Sequence, residues 1–386
     1  MEILTAATGK DWVSTVAQGP VDDKAAQAVE SYGQRLKQLL TEILLSENLV
    51  VLAGLGTTLY IHAEHGIAGA PTMTELWEGA ARLAGDSFED LKTRVKYSRP
   101  KEGDNIELLL SHCLLAQRFN PSKEVANFVD AAEGFIVKRC RFVKPNSNLT
   151  FHESFLRKVA RRDSRKQRLR VFTTNYDVAF ETAASHARFI AVDGFSHTQP
   201  QEFDGSHFNY DFVHRSQEHE VPDYLPNVFQ LYKLHGSVDW ELIGNQVTKT
   251  IEPAKPLIIY PRFSKFESSF EQPFIELMSR FQLSLREPNT GLIVVGFGFN
   301  DHHIVQPIMS AIRSNVGLKA AIVDPSLKEG RKEHIATIES LIKNGDYRLA
   351  LVNAKFEDLV PILPDLVRET EEERHRARFR GLAEKT

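Results

Sequence analysis

The chain has 386 residues, of which 47 are basic and 51 acidic, so its formal net charge is −4. This balance gives no reason to expect nucleic acid as a direct ligand. The first residues, MEILTAATGK, lack the basic start and apolar run of a signal peptide, and no apolar stretch approaches the roughly 20 residues of a membrane span. We therefore expect a soluble, cytoplasmic protein that does not bind membranes.

Cysteine content limits the kinds of site that the chain can build. Cys113 and Cys140 are the only cysteines, and both lie in apolar, helix-like contexts. Two thiols cannot form a disulfide framework or a four-cysteine zinc site. We expect no metal.

The first third of the chain has mainly helical patterns. Residues 22–47 have the pattern of an amphipathic helix, and the apolar run 49–53 that follows has the pattern of a buried strand. Thr72 and Glu75 have the spacing of a capping box, and Gly85 is placed to end the helix that they begin. Helical patterns continue beyond it and predict an inserted helical module at about 73–165.

Strand-like runs return after this module. They are RLRVFTT, FIAVDGF, FQLYKLHGS, PLIIYP, GLIVVGFG and KAAIVDP. Several are apolar at consecutive positions, which favours strands covered on both faces of a parallel sheet. We predict an α/β fold with a doubly wound, mostly parallel sheet. The predicted divisions are a helical segment at 1–47, a ligand-binding core at 48–330 with a lid-like loop at about 196–230, and a helical segment at 331–386.

Three glycine-rich or polar turns each follow a predicted strand: AGLGTT (53–58), TTNYD (173–177) and GFGFND (296–301). In open α/β sheets such turns face the ligand, and glycine lets the backbone approach a phosphate closely. The candidate nucleotide-binding residues in them are Gly54, Leu55, Gly56, Thr57, Thr58, Thr174, Asp177, Gly296, Gly298 and Phe299. Each turn can also be a tight connection without a ligand, in which Asn175 and Asp177 only cap a helix.

Two further candidates also follow predicted strands. His235 lies in KLHGSVDW (233–240) before Gly and Ser, so its imidazole could reach an open pocket and act as a base, although a lone histidine is more often structural. Asp324 ends the strand-like run AIVD, where an acidic side chain holds a ribose hydroxyl in dinucleotide-binding folds. The alternative for Asp324 is a turn-forming residue before Pro325.

The order GLGTT, FTTNYD, KLHGSVDW, VVGFGFND and AIVD resembles the core of sirtuins over roughly residues 48–325. In this resemblance Asn175 and Asp177 match the Asn-x-Asp motif, and His235 matches the catalytic histidine. The longer forms FTTNYDxAFE, LHGSxxW and GFGFxDxHI resemble more narrowly the bacterial sirtuin-like NADases of antiphage defence. Within that group the chain most resembles the sirtuin partner of HerA-type ATPases.

The sequence departs from deacylating sirtuins in three places. Leu55 and Thr57 are bulkier than the usual alanines, and no Gly-Ile-Pro-x-Phe-Arg segment follows Gly66. The paired Cys-x-x-Cys motifs of the zinc module are also missing. Because that module forms one wall of the acyl-peptide groove in deacylating sirtuins, its loss favours a small-molecule substrate.

The resemblance implies that the chain hydrolyses NAD+, as substrate, to nicotinamide and ADP-ribose in antiphage defence by abortive infection. Asn175 would orient the water and the ribose hydroxyls, His235 would accept a proton, and Asp177 would either contact the nicotinamide side or hold the turn. It also implies a large homo-oligomer that docks on a HerA-type hexameric ATPase and meets nucleic acid only through that partner. An NAD-dependent protein deacylase and a non-catalytic nucleotide-binding sensor or scaffold are the open alternatives.

Overall fold

The structure, a computed structural model, describes residues 1–9, 11–15, 23–61, 69–100, 103–163, 165–215, 223–259, 272–328 and 332–366. Within these ranges no helix combines the length and the apolar character that crossing a lipid bilayer requires.

The described chain contains a run of helices at 73–159, a run of strands at 190–258, and helices that alternate with strands from residue 274 onward. The α-helices are α1 (Asp23–Leu44), α2 (Met73–Ala84), α3 (Phe88–Arg94), α4 (Ile106–Phe119), α5 (Lys123–Cys140), α6 (Thr150–Val159), α7 (Ala179–Ala187), α8 (Phe274–Ser284), α9 (His302–Ser314), α10 (Glu333–Lys343) and α11 (Phe356–Ile362). The strands are β1 (Glu2–Thr5), β2 (Val13–Ser14), β3 (Asn48–Ala53), β4 (Arg170–Thr173), β5 (Ile190–Val192), β6 (Gln201–Glu202), β7 (Val213–His214), β8 (Asp223–Tyr224), β9 (Val228–Lys233), β10 (Gly236–Ile243), β11 (Gln246–Lys249), β12 (Pro256–Ile258), β13 (Thr290–Val295), β14 (Lys319–Val323) and β15 (Leu349–Asn353).

Nine strands form the central sheet in the order β2-β1-β15-β14-β13-β3-β4-β9-β5. Every neighbouring pair from β15 to β5 is parallel, whereas β1 and β2 add an antiparallel edge. From β3 the chain extends the sheet to one side through β4 and then to the other side through β13. The topological switch point therefore lies between β3 and β13, and ligands of open α/β sheets bind outside the carboxyl ends of the strands at such a point.

Helices cover both faces of this sheet. α1, α6, α7 and α11 contribute to the hydrophobic cluster on one face, and α8, α9 and α10 to the cluster on the other. Successive strand residues enter opposite clusters, as Val51 and Leu52 of β3 do. Burial on both faces explains why these strands are apolar at consecutive positions. The predicted doubly wound, mostly parallel α/β fold is confirmed.

The two predicted helical end segments, 1–47 and 331–386, contain strands as well as helices. Residues 2–5 form β1, and residues 349–353 form β15, which is buried between β14 and β1. Four residues are too few to show a periodicity, and the apolar run of β15 lies between two helical patterns. α1 also packs on the central sheet, so residues 1–47 do not form a separate segment. Residues 367–386 of the predicted C-terminal helical segment lie outside the described residues.

The helices α2 to α5 bury a hydrophobic cluster of their own. As predicted, Thr72 accepts a hydrogen bond from the Glu75 backbone N–H, and Gly85 with φ of 55° follows the last residue of α2. Tyr176 and Val178 pack against this cluster from the turn after β4. The helical module therefore contacts the turn that carries Asn175. α6 packs into the cluster of the main sheet instead, and the module boundaries of about 73–165 stay a prediction.

A smaller antiparallel sheet has the strand order β12-β10-β11-β6, and β7 pairs with β8. Part of the segment predicted as a lid takes part in it, because β6 pairs with β11. Phe203 and Phe208 of the same segment are buried against Trp240 and the central sheet. Residues 216–222 lie outside the described residues, and the lid role stays a prediction.

Candidate functional site

The turn after β3 and the turn after β13 touch through their backbones at the switch point. The Gly56 N–H donates to the Gly296 carbonyl at 2.9 Å, and the Gly54 N–H donates to the Val295 carbonyl at 3.0 Å. A Cβ atom on Gly54 would lie 2.6 Å from the Gly296 carbonyl oxygen, and one on Gly296 would lie 2.7 Å from Gly56 Cα. Only glycine allows this approach. The structure thus brings three predicted glycines together.

The threonines of the first turn stabilise that turn. Leu55–Thr57 form a short 3-10 helix, and an α-helix does not begin there. Thr57 Oγ1 donates to the Gly54 carbonyl at 2.8 Å, and Thr58 Oγ1 donates to the Leu55 carbonyl at 3.1 Å. Both threonines are fully buried, whereas Leu55 is exposed. The hydroxyls therefore hold the loop shape in this arrangement and do not face an incoming phosphate.

Asn175 lies against the first turn. Its Nδ2 donates to the Gly54 carbonyl at 3.2 Å and to Thr57 Oγ1 at 3.3 Å. Its backbone N–H donates to Thr173 Oγ1, and the Thr174 N–H donates to the Ala53 carbonyl. Only 8% of Asn175 is exposed. The carboxamide is therefore held at the carboxyl ends of β3 and β4, with its nitrogen directed at the protein.

Asp177 fixes the start of α7. One carboxylate oxygen accepts the Ala179 backbone N–H at 3.0 Å. Burial raises the pKa of this carboxyl, while the charge of Lys233 and hydrogen bonds that include the Thr58 hydroxyl act in the opposite direction. These contacts correspond to the second of the two roles considered for Asp177, which is to hold the turn.

His235 follows β9 and forms a pair with a second histidine. Its Nε2 lies 2.9 Å from Nε2 of His303, in the first turn of α9, and His235 is only 2% exposed. Only one hydrogen can lie between the two nitrogens, so one ring donates and the other accepts. His303 was not identified from the sequence, although it is the second residue after the third turn. Through this pair, His235 is connected to the same group of turns as Asn175.

Asp324 lies at the end of β14, beside the third turn. Its carboxylate accepts hydrogen bonds from the backbone N–H and the hydroxyl of Ser326, as the turn-forming alternative requires. It also lines a cavity of about 30 Å³ with Gly298 and Phe299. Such a cavity accommodates about one water molecule. The predicted residues Gly298, Phe299 and Asp324 therefore lie next to one another, but a nucleoside would need more space than this cavity has.

Lys332 also lines this cavity and was not identified from the sequence. Its ammonium donates to the Gly298 carbonyl and to Asn300 Oδ1. Burial lowers the pKa of Lys332, while the charges of Asp324 and Asp301 act in the opposite direction.

Metal ligands are not grouped in the described part of the chain. There, no set of three or more His, Cys, Asp or Glu side chains is placed to hold a metal ion.

Comparison with known proteins shows that part of the chain is similar to a known domain family. Residues 169–338 match the SIR2-like domain, a segment that is less than half of the chain and that contains Asn175, His235 and the third turn. The first turn and the helical module lie outside it. A solved Sir2 homologue, a serine-to-alanine mutant in complex with ADP-ribose, is similar with a TM-score of 0.41 and 15% identity, over 84% of this chain and 93% of that chain. The search of curated proteins gave no significant match. The sirtuin resemblance is therefore supported for residues 169–338.

Proposed function

We propose that this protein is an NAD+ hydrolase that releases nicotinamide and ADP-ribose. The observation that carries the proposal is the position of Asn175 and His235 at the carboxyl ends of the neighbouring strands β4 and β9, next to the switch point. Both residues belong to the segment that matches the SIR2-like domain, which supports NAD as the ligand.

The reaction needs fewer groups than hydrolysis of an ordinary glycoside. An ordinary glycoside requires a carboxylic acid to protonate the departing oxygen. In NAD+ the bond between C1′ of the ribose and the pyridinium nitrogen breaks, and its electron pair neutralises the nicotinamide. Water then bonds to C1′ and loses a proton. The protein must hold the ribose, stabilise an oxocarbenium-like transition state and position the water.

The two residues suit these tasks. The Asn175 carboxamide is fixed through its nitrogen, so it can orient water and the ribose hydroxyls without rearranging. His235 would accept the proton from the water or from a ribose hydroxyl. His303 holds the imidazole of His235 in one orientation through the contact between their Nε2 atoms.

Product analysis tests this proposal directly. We expect the purified chain, alone or with its partner, to convert NAD+ to nicotinamide and ADP-ribose without an acylated peptide, as measured by chromatography. Asn175→Ala and His235→Ala should each lower kcat by about 100-fold or more while NAD binding remains measurable, because these groups act mainly in the transition state. His112→Ala, in the helical module, is the control.

Other outcomes would favour the other functions. Product that forms only when an acyl-lysine peptide is added would indicate a deacylase. NAD binding without turnover under any condition would indicate a sensor or scaffold. Unchanged turnover in either site variant would remove that residue from the mechanism.

We further propose that the protein acts in antiphage defence as a large homo-oligomer bound to a HerA-type hexameric ATPase, through which it meets nucleic acid. The forms FTTNYDxAFE and GFGFxDxHI in the sequence support this narrower assignment. An enzyme that destroys NAD+ without control would kill its host, so its turnover must be controlled, and the partner is the proposed source of that control.

A further inference from the structure

Lys233, the last residue of β9, is buried to an unusual degree for a lysine. Only 1% of the residue is exposed, and lysine is almost never fully buried unless it is paired. Its ammonium donates to the Asp177 carbonyl and lies 3.5 Å from the Tyr176 carbonyl oxygen. It also forms an ion pair with Glu181 of α7, in which Nζ lies 3.1 Å from Oε1.

These partners indicate that Lys233 is needed for its charge and its hydrogen bonds, which an apolar side chain could not provide. Burying an ammonium is unfavourable unless charges and hydrogen bonds compensate it, so a hydrophobic residue would suit packing alone. Burial also raises the pKa of Glu181, an effect that the charge of Lys233 opposes. What Lys233 supplies is a cation bound to the backbone carbonyls next to Asn175.

A second set of hydrogen bonds links the same turn to the residues that follow His235. The Val238 N–H donates to the Tyr176 carbonyl at 3.0 Å, and Ser237 Oγ donates to the same carbonyl at 3.3 Å. The turn after β4 is therefore joined to the end of β9 through Lys233 and to the start of β10 through Ser237 and Val238. Lys233 lies at this junction, two residues before His235.

We propose that Lys233, held by Glu181, is a positioning residue that fixes the turn of residues 174–178 and thereby sets the place of Asn175 relative to His235. The inference rests on the proposed function for its kinetic consequence. Its structural part, the fixing of the turn, is independent of the reaction that the site performs.

Lys233→Met tests both parts. It removes the charge and keeps most of the side-chain volume. A small displacement of a catalytic group has a large effect on rate, so we expect kcat for NAD+ hydrolysis to fall about tenfold or more while KM changes less than about threefold. Hydrogen exchange, followed by mass spectrometry, should be faster in peptides that contain the amides of Asn175, Ala179 and Val238 than in the unmodified protein.

Arg162→Met is a matched control for loss of a buried cation. Arg162 is buried and donates to the carbonyls of Leu44, Ser46 and Glu47, which precede the amino-terminal end of β3, whereas the site lies at the carboxyl ends of the strands. We expect this variant to lose thermal stability but to keep its kcat within about twofold and its exchange at residues 174–178 unchanged. Equal effects of the two variants on both readouts would assign Lys233 a general structural role and overturn the proposal.

Glu181→Gln covers the case in which Lys233→Met does not fold. The amide oxygen still accepts a hydrogen bond from Lys233, so we expect an intermediate loss of kcat, about threefold, with faster exchange confined to the turn. Turn exchange and turnover equal to those of the unmodified protein would overturn the proposal. If the unmodified protein does not hydrolyse NAD+, the proposed function fails, and the exchange measurements still decide whether Lys233 fixes the turn.

Discussion

The side chains at the site are polar but almost completely buried. Asn175, Asp177, Lys233 and His235 each have named partners that orient them before any ligand arrives. Buried polar groups are rigid when they are satisfied and unfavourable when they are not. Orientation at this site is therefore set during folding, which is the condition that transition-state stabilisation requires.

Another buried histidine lies behind the first turn and gives a test that does not depend on activity. His152 of α6 is fully buried, and its Nδ1 lies 2.7 Å from the Tyr60 hydroxyl, two residues beyond Thr58. Burial lowers the pKa of His152 from 6.5 to about 3. Between these pH values the unfolded chain binds a proton that the folded chain excludes, so the free energy of unfolding falls as the pH falls.

The predicted change concerns the slope of stability against pH. One such proton contributes at most about 1.4 kcal/mol per pH unit. In urea unfolding between pH 4 and pH 6, His152→Asn should show a smaller slope than the unmodified protein by up to this amount. Tyr60→Phe keeps the buried imidazole and should keep the slope. A slope that His152→Asn leaves unchanged would contradict the assignment.

Single residues could be predicted from the sequence only where a motif marked them. Asn175 and His235 follow strands in recognisable contexts, and the structure places both at the expected edge of the sheet. Lys233, His303 and Lys332 were missed because their roles depend on partners 30 or more residues away in the sequence. Such pairings come from the folded chain and leave no local pattern.

At the scale of elements, the contact between the first and third turns depends on glycine. Gly296 has φ of 61°, and a Cβ atom there would meet the backbone of Gly56 and Thr57 at 2.7 Å. Gly244, between β10 and β11, has φ of 64° but no atom within 4 Å of the corresponding position. Both positions have a left-handed backbone, but only Gly296 has a close contact, so substitutions at the two positions distinguish the cost of backbone strain from the cost of steric contact.

Alanine substitution at these two positions should have different results. Gly244→Ala should lower the free energy of unfolding by about 1–2 kcal/mol, the cost of a left-handed backbone for a residue with a side chain. Gly296→Ala should lower the free energy of unfolding by about 1–3 kcal/mol more than Gly244→Ala because of overpacking. It should also weaken nucleotide binding, because the first and third turns would separate. Urea unfolding and NAD titration measure the two effects. Equal losses of stability in the two variants would show that the contact between the turns adds nothing to the cost of the substitution.

Elements with strong local signals were predicted well, and those defined by pairing were not. The capping box of α2 and the buried run of β3 are present as predicted. β1 and β15 are strands because they pair with each other and, for β15, with β14. Pairing partners hundreds of residues apart are not visible in a local periodicity.

The whole molecule should be an assembly whose turnover depends on a partner. We expect light scattering of the isolated chain at micromolar concentration to show a large homo-oligomer, and NAD+ turnover to rise when the HerA-type ATPase is added. The catalytic variant His235→Ala should assemble normally, because its change lies inside the site. A monomer whose turnover is the same with and without the ATPase would contradict this proposal.

The position of the helical module adds a thermodynamic consequence. Tyr176 and Val178 pack on the cluster of α2 to α5, so the module and the Asn175 turn share one packed interface. A partner that binds the module and raises the affinity for NAD+ through this interface would do so by a coupling free energy, which acts equally in both directions. Bound NAD+ would then raise the affinity of the partner for the module by the same factor by which the partner raises the affinity for NAD+. Depletion of NAD+ would in turn loosen the complex, so the activated assembly would lose its own activator as it consumed its substrate.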